Sequence, residues 1–145
     1  MRISIEEGEQ YAETEILIRC RKTDPELVKL ISLLQVFDRK LTGIREGQTF
    51  LLEAADILYI DTADKKTFLY TADEVYETPL RLYELEERLA TSDFFRASKS
   101  SIINFNGIRS LRPDFGGRMF ATMVNGEQLV ISRQYVPYVK QKLGL

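Results

Sequence analysis

From residue 41 to residue 131 no apolar or β-branched run goes far before a polar or glycine-bearing turn cuts it, and this recurrence most constrains the fold. Residues 41–44 and 49–52 read as weak strands around Arg45-Glu46-Gly47-Gln48, and 57–62 as a firmer one. Residues 67–71 and 75–77 are strands that follow polar turns at Ala63-Asp64-Lys65-Lys66 and Ala72-Asp73-Glu74. Further strands fall at 101–104, 108–111, 118–124 and 127–131. The last two flank Asn125-Gly126, the pair preferred by a type I′ hairpin turn. The pattern predicts an antiparallel meander.

Helical periodicity interrupts the strands at three places. Asp24 is a good N-cap and Pro25 suits the first helical position. After them Leu27, Leu30, Ile31, Leu33, Leu34 and Phe37 share one side of a helix over 24–38, on an arc of about 160°, wider than one packing surface usually needs. Thr78-Pro79 predicts the opening of a second helix, whose Leu82, Leu85 and Leu89 form a core stripe. Residues 136–143 read as a short terminal helix with Pro137 near its start. Ahead of all these, 14–20 alternates polar and apolar residues, which predicts a strand with Ile16 and Ile18 on one face and Cys20 as a small, half-buried residue of no functional importance.

Composition removes most chemistry. The chain has no histidine and one cysteine, so the commonest general base, a Ser-His or Cys-His nucleophile, an intramolecular disulfide and a cysteine-rich zinc site are all excluded. We therefore expect no enzyme, metal, cofactor or small-molecule substrate. No apolar run approaches the roughly 18 residues of a membrane span, and the N-terminus turns acidic before a signal-peptide core could form, which predicts a cytoplasmic protein. The formal net charge of −2 conceals an asymmetry: residues 96–145 hold 8 Lys+Arg against 2 Asp+Glu, a net +6, and the rest of the chain carries −8. A basic third of this kind suits a polyanion, although attraction between the two parts of the fold would also account for it.

The basic residues cluster at predicted turns. Phe94-Phe95-Arg96-Ala97-Ser98-Lys99-Ser100-Ser101 anchors at its aromatic end and exposes charge and hydroxyls at the other, donors suited to phosphate oxygens or guanine. A solvated turn between helix and strand is the plainer reading. Arg109, Arg112 and Arg118 surround Pro113-Asp114-Phe115-Gly116-Gly117, which lacks the pattern of a nucleotide-phosphate loop and reads as a hairpin turn. Arg133 follows the last strand, where its planar fork fits guanine bidentately and an ion pair with the acidic half is the rival. Lys65 and Lys66 form a lysine pair in a turn, a weaker signal.

In their order and spacing, several pieces resemble the LytTR family of DNA-binding domains over residues 47–145. They are Asp56-Ile57-Leu58-Tyr59-Ile60-Asp61, Leu82-Tyr83-Glu84-Leu85-Glu86-Glu87-Arg88-Leu89, Phe95-Arg96-Ala97-Ser98-Lys99-Ser100-Ser101-Ile102-Ile103-Asn104, Asn125-Gly126 and Val130-Ile131-Ser132-Arg133-Gln134-Tyr135. The resemblance implies an α+β, mainly β fold: an elongated antiparallel platform with an interstrand helix, inserting its loops into successive major grooves of double-stranded DNA. Its base-reading loops would lie at Lys65-Lys66, at Ser98-Lys99-Ser100 and at Arg133. We expect Lys99 and Arg133 to carry base recognition, and Arg96, Arg112 and Lys66 mainly to hold the DNA backbone. Ser98 stands where the family often has histidine, and Lys99 where arginine or asparagine is frequent. Many relatives carry a phosphorylation receiver ahead of the domain. Here residues 1–46 read as a small strand-helix-strand unit, a dimerisation or regulatory element. The resemblance further implies a homodimer on paired sites, and family members of this short kind can be restrained by a membrane protein. A protein-interaction module whose basic face meets an acidic partner is the alternative, and RNA binding comes third because exposed aromatics do not cluster with the basic loops.

Overall fold

The computed structural model describes residues 1–90 and 92–145, and the side chains of all of these but Gln35, Val36, Asp38 and Arg39. The elements are α1 (Pro25–Arg39), β1 (Lys40–Arg45), β2 (Gln48–Glu53), β3 (Tyr59–Ala63), β4 (Lys66–Tyr70), β5 (Val75–Thr78), α2 (Leu82–Arg88), β6 (Phe94–Ser98), β7 (Ser101–Asn104), β8 (Ile108–Pro113), β9 (Met119–Met123), β10 (Gln128–Ile131) and α3 (Val136–Lys142). Every strand pairing is antiparallel. A seven-stranded sheet runs β2-β1-β5-β4-β3-β7-β6, and a second sheet runs β10-β9-β8.

Three apolar doublets explain how the layers stack. Successive strand side chains point to opposite faces, so Tyr59-Ile60, Phe94-Phe95 and Ile102-Ile103 each send one residue to either side of the large sheet. Tyr59, Phe95 and Ile103 join Met119, Ala121, Met123 and Ile131 of the second sheet and Val136 and Val139 of α3 in one core. Ile60, Phe94 and Ile102 join Leu41, Ile57 and Leu69 and the Leu82, Leu85 and Leu89 stripe of α2 in the other. These three strands, β3, β7 and the edge strand β6, are thus covered on both faces, and each fully buried aliphatic contributes roughly 1.5–3 kcal/mol. Gly107 fits between Leu58 and Met123, and a Cβ there would sit 3.1 Å from both Leu58 Cδ2 and Met123 Cε.

Local chemistry accounts for most boundaries. Asp24 caps α1 as expected, its Oδ1 accepting from the Leu27 N–H at 2.8 Å. The β3–β4 hairpin closes on Asp64 and Lys65, both at positive φ (52° and 66°), the geometry of a type I′ turn. Asn125-Gly126 departs from the type I′ expectation. Only Gly126 has positive φ (94°), and bonds from Gly126 N to Met123 O and from Met123 N to Glu127 O enclose the three residues 124–126. A three-residue hairpin loop needs just one left-handed residue, and glycine supplies it.

Three expectations are corrected. Residues 14–20 do not form a strand: they lie outside both sheets, with Ile16 and Leu17 64% and 75% exposed. Alternation satisfies the side-chain rule for a strand, but a strand also needs a neighbour for its N–H and C=O groups, and none pairs with this segment. Cys20, within it, is accordingly exposed instead of half-buried. The second helix starts at Leu82, later than Thr78-Pro79, because Thr78 completes β5 as a buried residue whose Oγ1 accepts from Leu80 N. Finally, the stretch after Phe94 is a strand, β6, with Phe94, Phe95 and Ala97 buried, so the turn shrinks to Lys99-Ser100.

Leu85 is fully buried beneath α2. Leu85→Ala should destabilise the domain by about 2–5 kcal/mol, read as a lower urea midpoint at unchanged m-value.

Candidate nucleic-acid interface

Register places four turns at one end of the two sheets. Asp61 pairs with Ser101 across β3 and β7, and Thr62 N donates to Ser100 O at 2.9 Å, so the β3–β4 turn lies beside the β6–β7 turn. Ser132 N donates to Ala97 O at 2.8 Å, which ties the chain just after β10 to β6. Ile131 pairs with Met119, and Met119 with Pro113, so the β8–β9 turn flanks Ser132 and Arg133. Lys65, Lys99, Ser100 and Arg133, all exposed, are thereby brought together from segments far apart in sequence.

Each sequence-predicted residue has a distinct situation there. Lys65 and Lys99 sit at turn tips, and neither forms an ion pair among the described residues. Lys66 faces Glu77 at 3.6 Å across β4 and β5. Arg96 is held inside the β6–β7 turn: Nε donates to Ser98 O at 2.6 Å, Nη2 to Lys99 O at 2.7 Å, and Nη1 meets Glu86 Oε2 of α2 at 2.5 Å. The Ser98 hydroxyl is likewise internal, 2.7 Å from Ser101 Oγ and accepting from Ser100 N at 3.2 Å. Arg112 projects from β8 with its guanidinium 4.5 Å from the centre of the Phe120 ring. Arg133 is exposed, and its aliphatic stem lies against Gly117, where a Cβ would come within 2.9 Å of Cγ.

The arrangement offers cations and hydroxyls on short, braced turns, a surface for phosphate and base edges. The helices offer less: α2 turns its leucines inward and leaves Glu86 and Glu87 exposed, charges that repel a phosphate backbone. Among the described residues no helix is long and apolar enough to cross a membrane.

The family profile described as the LytTr DNA-binding domain matches residues 47–144. The chain belongs to the LytTR family. The LytTR domain here is also similar to the solved LytTr DNA-binding domain of a methyl-accepting/DNA response regulator from Bacillus cereus, with a TM-score of 0.69 and 26% identity over 74% of this chain and 98% of that one. Along its whole length the chain is 24% identical to an HTH-type transcriptional regulator of Staphylococcus aureus, covering 99% of that protein. The sensory transduction protein LytT of Enterococcus faecalis is 27% identical over 69% of this chain, a match that spans 41% of its own length. The protein is a LytTR DNA-binding transcription regulator, and its turn-bearing end is the candidate interface.

One polar group behind that end escaped the sequence reading. Asp61 lies beside the Tyr70 hydroxyl, which favours its charged form, while its Oδ1 is buried without a partner. Burial raises the Asp61 carboxyl above its ordinary range, and burial together with the Asp61 charge pushes the Tyr70 phenol up to about 12. Tyr70 stacks on Tyr59 at 4.4 Å, and Tyr59 also hydrogen-bonds to Asn125 of the β9–β10 loop. An aspartate in an alternating strand reads as solvent-facing, and only the packing of the second sheet buries it.

A carboxyl whose folded-state pKa is raised takes up its proton more readily in the folded chain, so the cost of its charge is fully present at neutral pH and is relieved as pH falls through that pKa. Asp61→Asn should therefore raise the melting temperature relative to wild type most at pH 7, and the difference should shrink on acidification. A pH-independent difference would show that the Asp61 charge is not the cause.

Proposed function

We propose that this LytTR regulator reads duplex DNA sequence-specifically in the major groove with three turns, carrying Lys65, Lys99 and Arg133. The convergence of those turns at one end of the sheets is the observation that carries the reading. Arg133 presents a planar fork suited to guanine O6 and N7, and Lys99 reaches a base edge or phosphate with fewer fixed bonds. Ser100, Lys66 and Arg112 hold the sugar-phosphate backbone. Arg96 and Ser98 act at the same place by fixing the Lys99 turn, since their polar groups already bond within it. The protein works in the cytoplasm without catalysis or cofactor.

Residues 1–46 serve as the dimerisation element. Ile31, Leu33 and Phe37 of the apolar arc of α1 are exposed, Leu33 and Phe37 by 68% and 67%, which supports that wide face meeting a second copy. Two domains on paired sites then gain effective concentration without new base contacts. A regulatory partner, such as the membrane protein that restrains some short family members, would act on this same element.

Fluorescence anisotropy against specific and scrambled duplexes tests the reading. Arg133→Ala should lose about 1–3 kcal/mol on the specific site and little on scrambled DNA, and Lys99→Ala somewhat less. Arg112→Ala should weaken both duplexes alike and reduce the log-log salt slope by about 0.9. Equal losses on both duplexes for Arg133→Ala would demote it to a phosphate clamp. Sedimentation should show a dimer at tens of micromolar protein (about 10⁻⁵ M), and a monomer there would sink the role given to α1.

A further inference from the structure

The β8–β9 turn is built more rigidly than a plain connection requires. Asp114 N donates to Arg118 O at 2.9 Å, the Arg118 guanidinium pairs with the Asp114 carboxylate at 2.6 Å, and Gly116 and Gly117 both take positive φ (72° and 80°). At its tip Phe115 is 89% exposed and belongs to neither core. A single exposed aromatic is unremarkable by itself. What distinguishes this one is its neighbour, because the missing Cβ of Gly117 makes room for the stem of Arg133, with Cγ and Cδ at 2.9 and 3.0 Å from where that Cβ would stand.

We propose that this turn is a fourth contact with duplex DNA, in which Gly117 seats the Arg133 side chain and Phe115 packs its ring against the duplex beside the base pair that Arg133 reads. The proposal rests on Arg133 being a DNA contact. Two residues of chain span at most about 7 Å, which places the exposed Phe115 near the Arg133 stem that Gly117 seats. The apolar surfaces available there are thymine methyls and deoxyribose faces, and an aromatic ring is a partner for both. The braced turn presents that ring with little backbone freedom left to lose on binding. A Cβ at position 117 would instead displace the Arg133 stem and misdirect its fork.

Duplex binding by Phe115→Ala, Phe115→Leu, Gly117→Ala and Arg133→Ala, on the specific duplex over a range of salt, tests the proposal in the full chain. Phe115→Ala should weaken binding about tenfold with an unchanged log-log salt slope, because an apolar contact releases no counterions. Phe115→Leu should recover most of that loss. Gly117→Ala should approach the loss of Arg133→Ala while its circular dichroism stays native. If Arg133→Ala weakens binding but Phe115→Ala binds as wild type does, the fourth contact is overturned and the reading of Arg133 stands. A tenfold loss for Phe115→Ala accompanied by a flattened salt slope would also overturn it, since that points to displaced cations. Wild-type binding by Arg133→Ala would instead remove the reading on which the proposal rests.

Discussion

The two-sided burial of β3, β7 and β6 is the constraint on which everything else in this protein depends. Apolar doublets in those strands commit one residue to the second sheet and the next to α2, so a slip of one residue would exchange the two cores and match neither. Register fixed in this way fixes where each strand ends. The ends of β3, β6, β8 and β10 gather at one edge, and the basic turns gather with them. The interface is thus a consequence of core packing, and the side chains presented there add chemistry to positions already determined.

Acidic residues reach the turns as well, Glu86 of α2 meeting Arg96 and Asp114 meeting Arg118, and several basic residues of the C-terminal third bond inward. Arg109 donates to Val124 O at 2.8 Å, Lys142 meets Asp93 at 3.2 Å, and Arg118 meets Asp114. A net count therefore overstates the field offered to DNA. On the proposed reading the tips without an ion pair among the described residues, Lys65, Lys99 and Arg133, matter more than the total, because a cation tied to a carboxylate releases fewer counterions.

The strand-and-turn rhythm and the leucine stripe of α2 were legible because each follows from local chemistry: period-two alternation, left-handed turn residues, and spacing of i, i+3 and i+7. The missing strand at 14–20 and the late start of α2 were illegible because both depend on what lies alongside, a pairing partner in one case and the reach of β5 in the other. Phe94 to Ser98 reads as part of a loop because five of the eight residues 94–101 are serine, lysine or arginine, although Phe94, Phe95 and Ala97 are the ones that pack. At the candidate interface, sequence reasoning selected cations and hydroxyls at turns, of which the structure brings Lys65, Lys99, Ser100 and Arg133 to one end of the sheets. It could not separate Arg96, folded back onto the turn carbonyls, from Lys99, which points away, since both are cations three positions apart. Nor could it join Gly117 to Arg133, a contact that only the pairing of β9 with β10 creates.

Within the β6–β7 turn, the side chains that brace the backbone are different from the one proposed to contact DNA. Arg96 holds the carbonyls of Ser98 and Lys99, Ser98 holds Ser100 and Ser101, and the side chain of Lys99 takes part in none of these bonds. Folding consequently places no demand on which side chain occupies position 99. On the proposed reading, in which Lys99 contacts a base edge or phosphate, substitution there would alter DNA preference while leaving the bonds that brace the turn in place.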